Sequence, residues 1–318
     1  MSRLVLFVLF TMFSMLGPWA ANAAFAGSGV AGKISDYDST VNFLGSEVIK
    51  YKGQVLYLPE KPGNDREFGF TGFFVRAESN DTNVYRPNDK YYTSYGAVAG
   101  KYFKVLDIVP HPDAAKGDIF FGSKCFLKLQ ERDSSAIVYY EYNFMNEFSF
   151  PFFDIGFVEK QKKMNMGNYF VYPDTVLKSL AEKTDPVTGK PVSFRTGDTW
   201  KCVDVVIPVS SHSLSLVVQN TLGEKTTIPQ GCRNYTLVQE LTYKKKYGIP
   251  TFNRLLRGDL YPGMTKEMVK LSVGEPYQVN GKLTHGTDRK KEEWLYYTGK
   301  TLMFDNDVLI EMKDTQPN

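Results

Sequence analysis

The sequence predicts a mainly β protein with a C-terminal α+β domain: two small β-barrel or sandwich modules, then two helices packed on a three-stranded antiparallel sheet. Three observations carry this. Short runs rich in Val, Ile, Phe and Tyr, punctuated by Gly, Pro, Asn and Asp, fill most of the chain, a pattern of strands joined by turns rather than of a parallel sheet with crossover helices. Some of these runs recur in order, as a duplicated module would make them. Beyond about residue 248 the pattern changes to capped helices followed by alternating strands.

The N-terminus comes first. Arg3 supplies a positive start, an apolar run extends from residue 4 to 16, Gly17-Pro18 stops any helix, and Ala21-Asn22-Ala23 has the small-x-small form of a signal-peptidase site. Residues 1–23 are therefore expected to be a cleaved secretory signal, with Ala24 as the mature N-terminus. The run falls short of the roughly 20 residues that span a bilayer, no cysteine follows it as a lipid attachment point, and no second run of that kind occurs. The expected product has no transmembrane segment after cleavage and is periplasmic or secreted, with outer-membrane association left open. Residues 24–44, rich in Gly, Ala and Ser, are expected to be a flexible leader.

Strand patterns then occupy 54–58, 72–76, 102–109, 126–129, 137–142 and 214–218. GQVLYLP at 53–59 returns as GNYFVYP at 167–173, and GKYFKVLDIV at 100–109 returns as GDTWKCVDVV at 197–206. The preserved order divides the region into module 1 at 45–150 and module 2 at 160–246. Alternation puts Phe103, Val105 and Asp107 on one face, and Trp200, Cys202 and Asp204 on another. Each aspartate is expected at a strand end, accepting turn amides.

In the last unit, 248–318, a helix is expected over 251–257 and a second after Thr265, an N-cap residue. Met264 and Val269 have hydrophobic-staple spacing, and Gly274 with Pro276 ends the helix. Residues 280–288 are expected to be a polar loop, followed by strands at 293–297, 301–304 and 308–312. Leu255, Met268, Val269, Trp294, Tyr296, Leu302 and Phe304 are the expected core.

Composition restricts function. At 42% apolar and 14% aromatic the chain can build packed cores, and 38 basic against 35 acidic residues imply no nucleic-acid partner. Cys202 and Cys232 fall in one module and could pair, which would leave Cys125 over; a small buried thiol at each is an equal reading. His111, His212 and His285 show no metal-ligand spacing with one another or with cysteine. Glycines at 27–32 and 117–122 imitate nucleotide loops but lack the strand-to-helix context or the lysine order. No cofactor, metal or catalytic residue is therefore assigned.

The residues GMTKEMV at 263–269, GEP at 274–276, WLY at 294–296 and LMFD at 302–305 resemble the SmpA/OmlA (BamE-like) family of small bacterial envelope domains. The two β modules resemble, more loosely, the SH3-like barrels of secreted bacterial proteins. The resemblance implies two helices on a three-stranded sheet, a bacterial source, and an architectural or partner-binding role rather than an enzymatic one. The expected function is thus a non-enzymatic envelope protein that binds a protein, peptide or glycan partner. Lys282, His285, Arg289, Lys290 and Lys291 are the expected partner-facing loop residues. A secreted carboxylate-dependent hydrolase is the alternative, and it would need two acids facing one cleft.

Overall fold

The computed structural model describes residues 37–88, 91–116, 122–179, 184–185, 188–209, 212–283 and 290–314. The expected signal peptide, most of the leader, the two glycine loops for the most part, and His285 and Arg289 lie outside them.

The first module begins with two short 3-10 turns within Gly45–Tyr51, kinked at Glu47, that bury Val48 and Tyr51. Next come β1 (Val55–Leu58), β2 (Phe73–Phe74), α1 (Tyr95–Val98), β3 (Lys101–Pro110), β4 (Lys124–Glu131), β5 (Ile137–Asn143) and β6 (Phe153–Asp154). The second module repeats the plan with α2 (Ile155–Asn165), β7 (Tyr169–Val171), α3 (Asp174–Ser179), β8 (Thr199–Val206), β9 (Ser215–Gln219), β10 (Lys225–Pro229) and β11 (Tyr235–Thr236). Among the described residues the first sheet runs β2-β5-β4-β3-β1-β6 and the second β10-β9-β8-β7-β11. Leaving out β2, the two orders are the same strand for strand.

The agreement extends to single backbone bonds. The ladder between β3 and β4 breaks between Val105 and Asp107, and that between β8 and β9 breaks between the matching residues Cys202 and Asp204. The Gly53 N–H donates to Val105 O at 2.8 Å, and the Gly167 N–H to Cys202 O at 2.8 Å. Both glycines turn the chain at φ near +85°, +86° and +84° respectively, where a side chain would be strained.

The bulge corrects the expected placement of the aspartates. One extra residue reverses the alternation, so Phe103, Val105, Trp200 and Cys202 are buried while Asp107 and Asp204 emerge on the outside. They lie within strands, not at strand ends. Lys52 reaches Asp107 at 2.8 Å and, with the Ile108 amide, holds its carboxyl below the usual range. Asp204 accepts the Val205 N–H at 2.7 Å, with Lys162 at 3.6 Å.

No disulfide joins Cys202 and Cys232. Cys202 is fully buried and its thiol donates to Asp204 O of its own strand at 3.4 Å, while Cys232 packs at the margin of the same core. Both sulfurs serve as packing atoms here.

Each module sends its last strand into the next unit. β6 pairs with β1, with Tyr57 opposite Phe153, yet Phe153 is buried in the second core beside Val158, Phe170 and Trp200. β11 pairs with β7, with Val171 opposite Tyr235, and those two pack with Phe252 and Leu256 of the following helices. These short strands also cap the next helix: Asp154 accepts the Phe157 N–H, and Thr236 forms a reciprocal capping box with Gln239.

The final unit comprises α4 (Leu237–Tyr247), α5 (Ile249–Arg257), α6 (Lys266–Val273), β12 (Gln278–Leu283), β13 (Lys290–Leu295), β14 (Lys300–Asp305) and β15 (Val308–Asp314). Thr265 Oγ1 accepts the Met268 N–H at 3.2 Å, and Gly274 ends α6 at φ +93°. Leu255, Met264, Val269, Trp294, Tyr296, Leu302, Phe304 and Leu309 form one core, with Met268 partly buried against it.

The sheet has four strands in the order β12-β13-β14-β15, not three. Of the polar segment expected to be a loop, residues 280–283 lie in β12, which pairs with β13 from Gln278 opposite Leu295 to Leu283 opposite Lys290, and 284–288 lie outside the described residues. An edge strand of this kind is held by its backbone ladder, so Asn280 and Gly281 did not disclose it. Among the described residues, no helix is long and apolar enough to cross a membrane.

Candidate functional site

The first module carries an open groove of about 380 Å³. Its floor is the outer face of β5. In that strand Val138, Tyr140 and Tyr142 point inward, which turns Glu141 and Asn143 outward. Lys124 comes from β4, and the long β1 to β3 connection adds Phe74, Ser79, Asn80, Asp81, Val84 and Tyr91. Tyr91 is more than half exposed, at 58%, and stands as an aromatic wall.

Glu141 is the hub. Ser79 Oγ donates to its Oε1 at 2.5 Å and Lys124 Nζ to its Oε2 at 3.0 Å. Behind them His111 is buried, stacked on Phe126 with ring centroids 5.2 Å apart. The Asp113 N–H donates to His111 Nδ1 at 3.1 Å, which leaves the proton of the neutral ring on Nε2. That edge faces Ser79 Oγ at 3.4 Å and Glu141 Oε1 at 3.5 Å.

This geometry limits the chemistry. In a serine–histidine relay the imidazole presents a lone pair to the hydroxyl. Here His111 presents a proton, and the Ser79 hydroxyl proton is directed at Glu141. The cluster is instead a fixed set of donors and acceptors, with the Asn80 and Asn143 amides and the Tyr91 ring around it. Asp81 is a second carboxylate on the same groove. Among the described residues, no group of three or more His, Cys, Asp or Glu side chains is placed to hold a metal ion.

The residues expected from sequence lie elsewhere. Lys282 is in β12 and Lys290 and Lys291 are in β13, where Lys282 stands opposite Lys291. They belong to paired strands and not to a loop, and Lys291 is exposed. His285 and Arg289 fall outside the described residues. His212 lines a second cavity of about 310 Å³ with Pro59, Pro62, Phe68 and Pro151. The sequence reading missed Ser79, Lys124 and Glu141. The one available signal was Glu141 itself, the single charge in the strand IVYYEYN. Its partners come from other elements and are joined only by folding.

No protein-family model, curated protein or solved structure matches the chain.

Proposed function

We propose that this protein is a non-enzymatic component of the bacterial cell envelope, exported to the periplasm or beyond, that binds a protein, peptide or glycan partner. The observation that carries the reading is the groove on β5, where a hydroxyl and an ammonium converge on Glu141, with two side-chain amides and an exposed tyrosine lining the same groove. Sites that hold a partner combine a few fixed polar groups with aromatic surface in this way.

The shared strand order and bulge support SH3-like barrels for both modules, with the long β1 to β3 connection forming the groove wall. The α5 and α6 helices with β13 to β15 support a BamE-like domain, to which β12 adds a fourth strand. Lys282, Lys290 and Lys291 occupy one end of the β12–β13 pair, which is the second proposed contact region, and Lys291 is exposed there.

Crosslinking and affinity capture from the native envelope fraction test the reading. The parent should retain a partner that Glu141→Gln combined with Tyr91→Ala loses by about tenfold or more, since a fixed hydrogen-bonding set and a buried aromatic are each worth over 1 kcal/mol. Sedimentation with purified peptidoglycan examines the glycan case. A robust hydrolytic activity abolished by Glu141→Gln would overturn the proposal in favour of a carboxylate-dependent hydrolase.

A further inference from the structure

Helix α4 is packed inside out. A surface helix normally buries its apolar stripe and exposes its charges. In α4 the buried side chain is Glu240, neutralised by Lys244 Nζ at 2.5 Å. Val238 and Leu241, three residues apart on one face, are 72% and 66% exposed, and Leu237 is 37% exposed. The helix is held down instead by Tyr243, whose ring meets Tyr235, Tyr247 and Phe252.

The exposed apolar face extends beyond the helix. β11 leads directly into α4 and pairs with β7, Tyr235 opposite Val171 and Thr236 opposite Phe170, and the next β7 residue beyond that ladder, Tyr169, is 43% exposed. The last turn of α2 adds Met164 and its C-cap adds Met166, both exposed. The surroundings are basic: the Lys201 ammonium lies over the Tyr169 ring at 5.8 Å, and α4 ends on Lys244, Lys245 and Lys246. Glu240 is the only acid in α4, and it is buried.

We propose that this face docks on an anionic lipid surface, with Val238, Leu241 and Tyr169 entering the headgroup layer and Lys201 and Lys245 meeting lipid phosphates, Lys246 being paired with Glu267. An apolar stripe flanked by lysines on a helix lying in the interface plane is the arrangement such surfaces attract. Charge selects this occupant over a second copy of the chain. Two copies face to face would bring Lys201 and Lys245 together with no exposed α4 acid to answer them, whereas anionic headgroups supply the counter-charge. The inference does not depend on the groove.

The test is sedimentation of the mature chain with vesicles of phosphatidylcholine alone and of phosphatidylcholine with phosphatidylglycerol. Binding should require phosphatidylglycerol and weaken as salt rises. Val238→Ser with Leu241→Ser should weaken it at least about tenfold through lost apolar insertion, and separately Lys245→Glu roughly thirtyfold, a change of two charges at about 1 kcal/mol each near the surface. Their thermal unfolding should stay close to that of the parent, because these side chains are exposed. The proposal is overturned if the parent ignores vesicles, binds both compositions equally, or binds as before after both sets of changes. A dimer in sedimentation velocity that Leu241→Ser dissolves, without vesicle binding, would assign the face to a second copy and overturn it equally.

Discussion

Asp154 caps α2 from a fully buried position, its backbone N–H held by Asn42 Oδ1 at 2.8 Å. Its Oδ1 takes the Phe157 amide at 3.1 Å, and the carboxyl sits beside the Tyr37 hydroxyl, which itself donates to Val41 O. Burial pushes the carboxyl up to about 6. A group raised in this way keeps its proton in the folded state to a higher pH than in the unfolded chain. Its ionisation therefore favours unfolding as pH rises from about 4 to about 6, and the loss is complete above that. Asp154→Asn reproduces the protonated form, uncharged and with Oδ1 still capping. Denaturant titrations should find the variant more stable than the parent by about 2–3 kcal/mol at pH 7.5, with the gap closing near pH 4. A constant gap across that range would mean that Asp154 does not titrate as described. The sequence displays this residue as one more acid before a helix. Its environment depends on Tyr37 and Asn42, which are more than a hundred positions away.

At the scale of elements, α6 is finished by another unit. The Arg233 guanidinium donates to Ser272 O at 2.7 Å, Lys270 O at 3.3 Å and Thr175 Oγ1 at 3.1 Å, and Tyr235 Oη donates to Leu271 O at 2.5 Å. These bonds satisfy the orphan carbonyls of the helix end and tie the final unit to the second module. Arg233→Ala should lower stability by about 2 kcal/mol, in the range for hydrogen bonds from a charged donor. It should also make the 247–250 junction, where α4 meets α5 at Gly248, newly sensitive to limited proteolysis. Unchanged cleavage would show that Phe252 and Leu256 hold the junction without the clamp. Local signals served well where the physics is local: Thr265, Met264, Val269 and Gly274 mark both ends of α6 by themselves. They failed at β12, whose side chains carry no alternation because an edge strand exposes most of what it bears. They failed at the bulges too, since an inserted residue is visible only against a partner strand. The groove was legible in one residue, Glu141, because Ser79 and Lys124 reach it through tertiary packing alone.

At the scale of the whole molecule, the recurring GQVLYLP and GKYFKVLDIV blocks fall on matching strands of two sheets that share a strand order and a bulge position. What those blocks did not mark is how the repeats are joined. Phe153 is a strand residue of the first sheet and a core residue of the second module. Phe153→Ala should cost about 3–5 kcal/mol as a large-to-small core change. It should also divide a single calorimetric transition into two, because the truncated residue links the cores. One undivided transition in the variant would place the coupling elsewhere, in α2 or in the Asn42 bonds to Phe152 and Asp154.

The offset between sheets and cores also bears on synthesis. A chain emerging from its N-terminus completes the first sheet at β6 while Phe153 still has no pocket, because Val158, Phe170 and Trp200 come later. The same situation recurs at Tyr235 until Phe252 and Leu256 arrive. Each module thus finishes its hydrogen bonding before its last aromatic is covered, and the next module folds against a seed that is already in place. A fragment cut at a sheet boundary would carry a bare aromatic, so separating these modules for study requires moving Phe153 or Tyr235 across the cut, or replacing it.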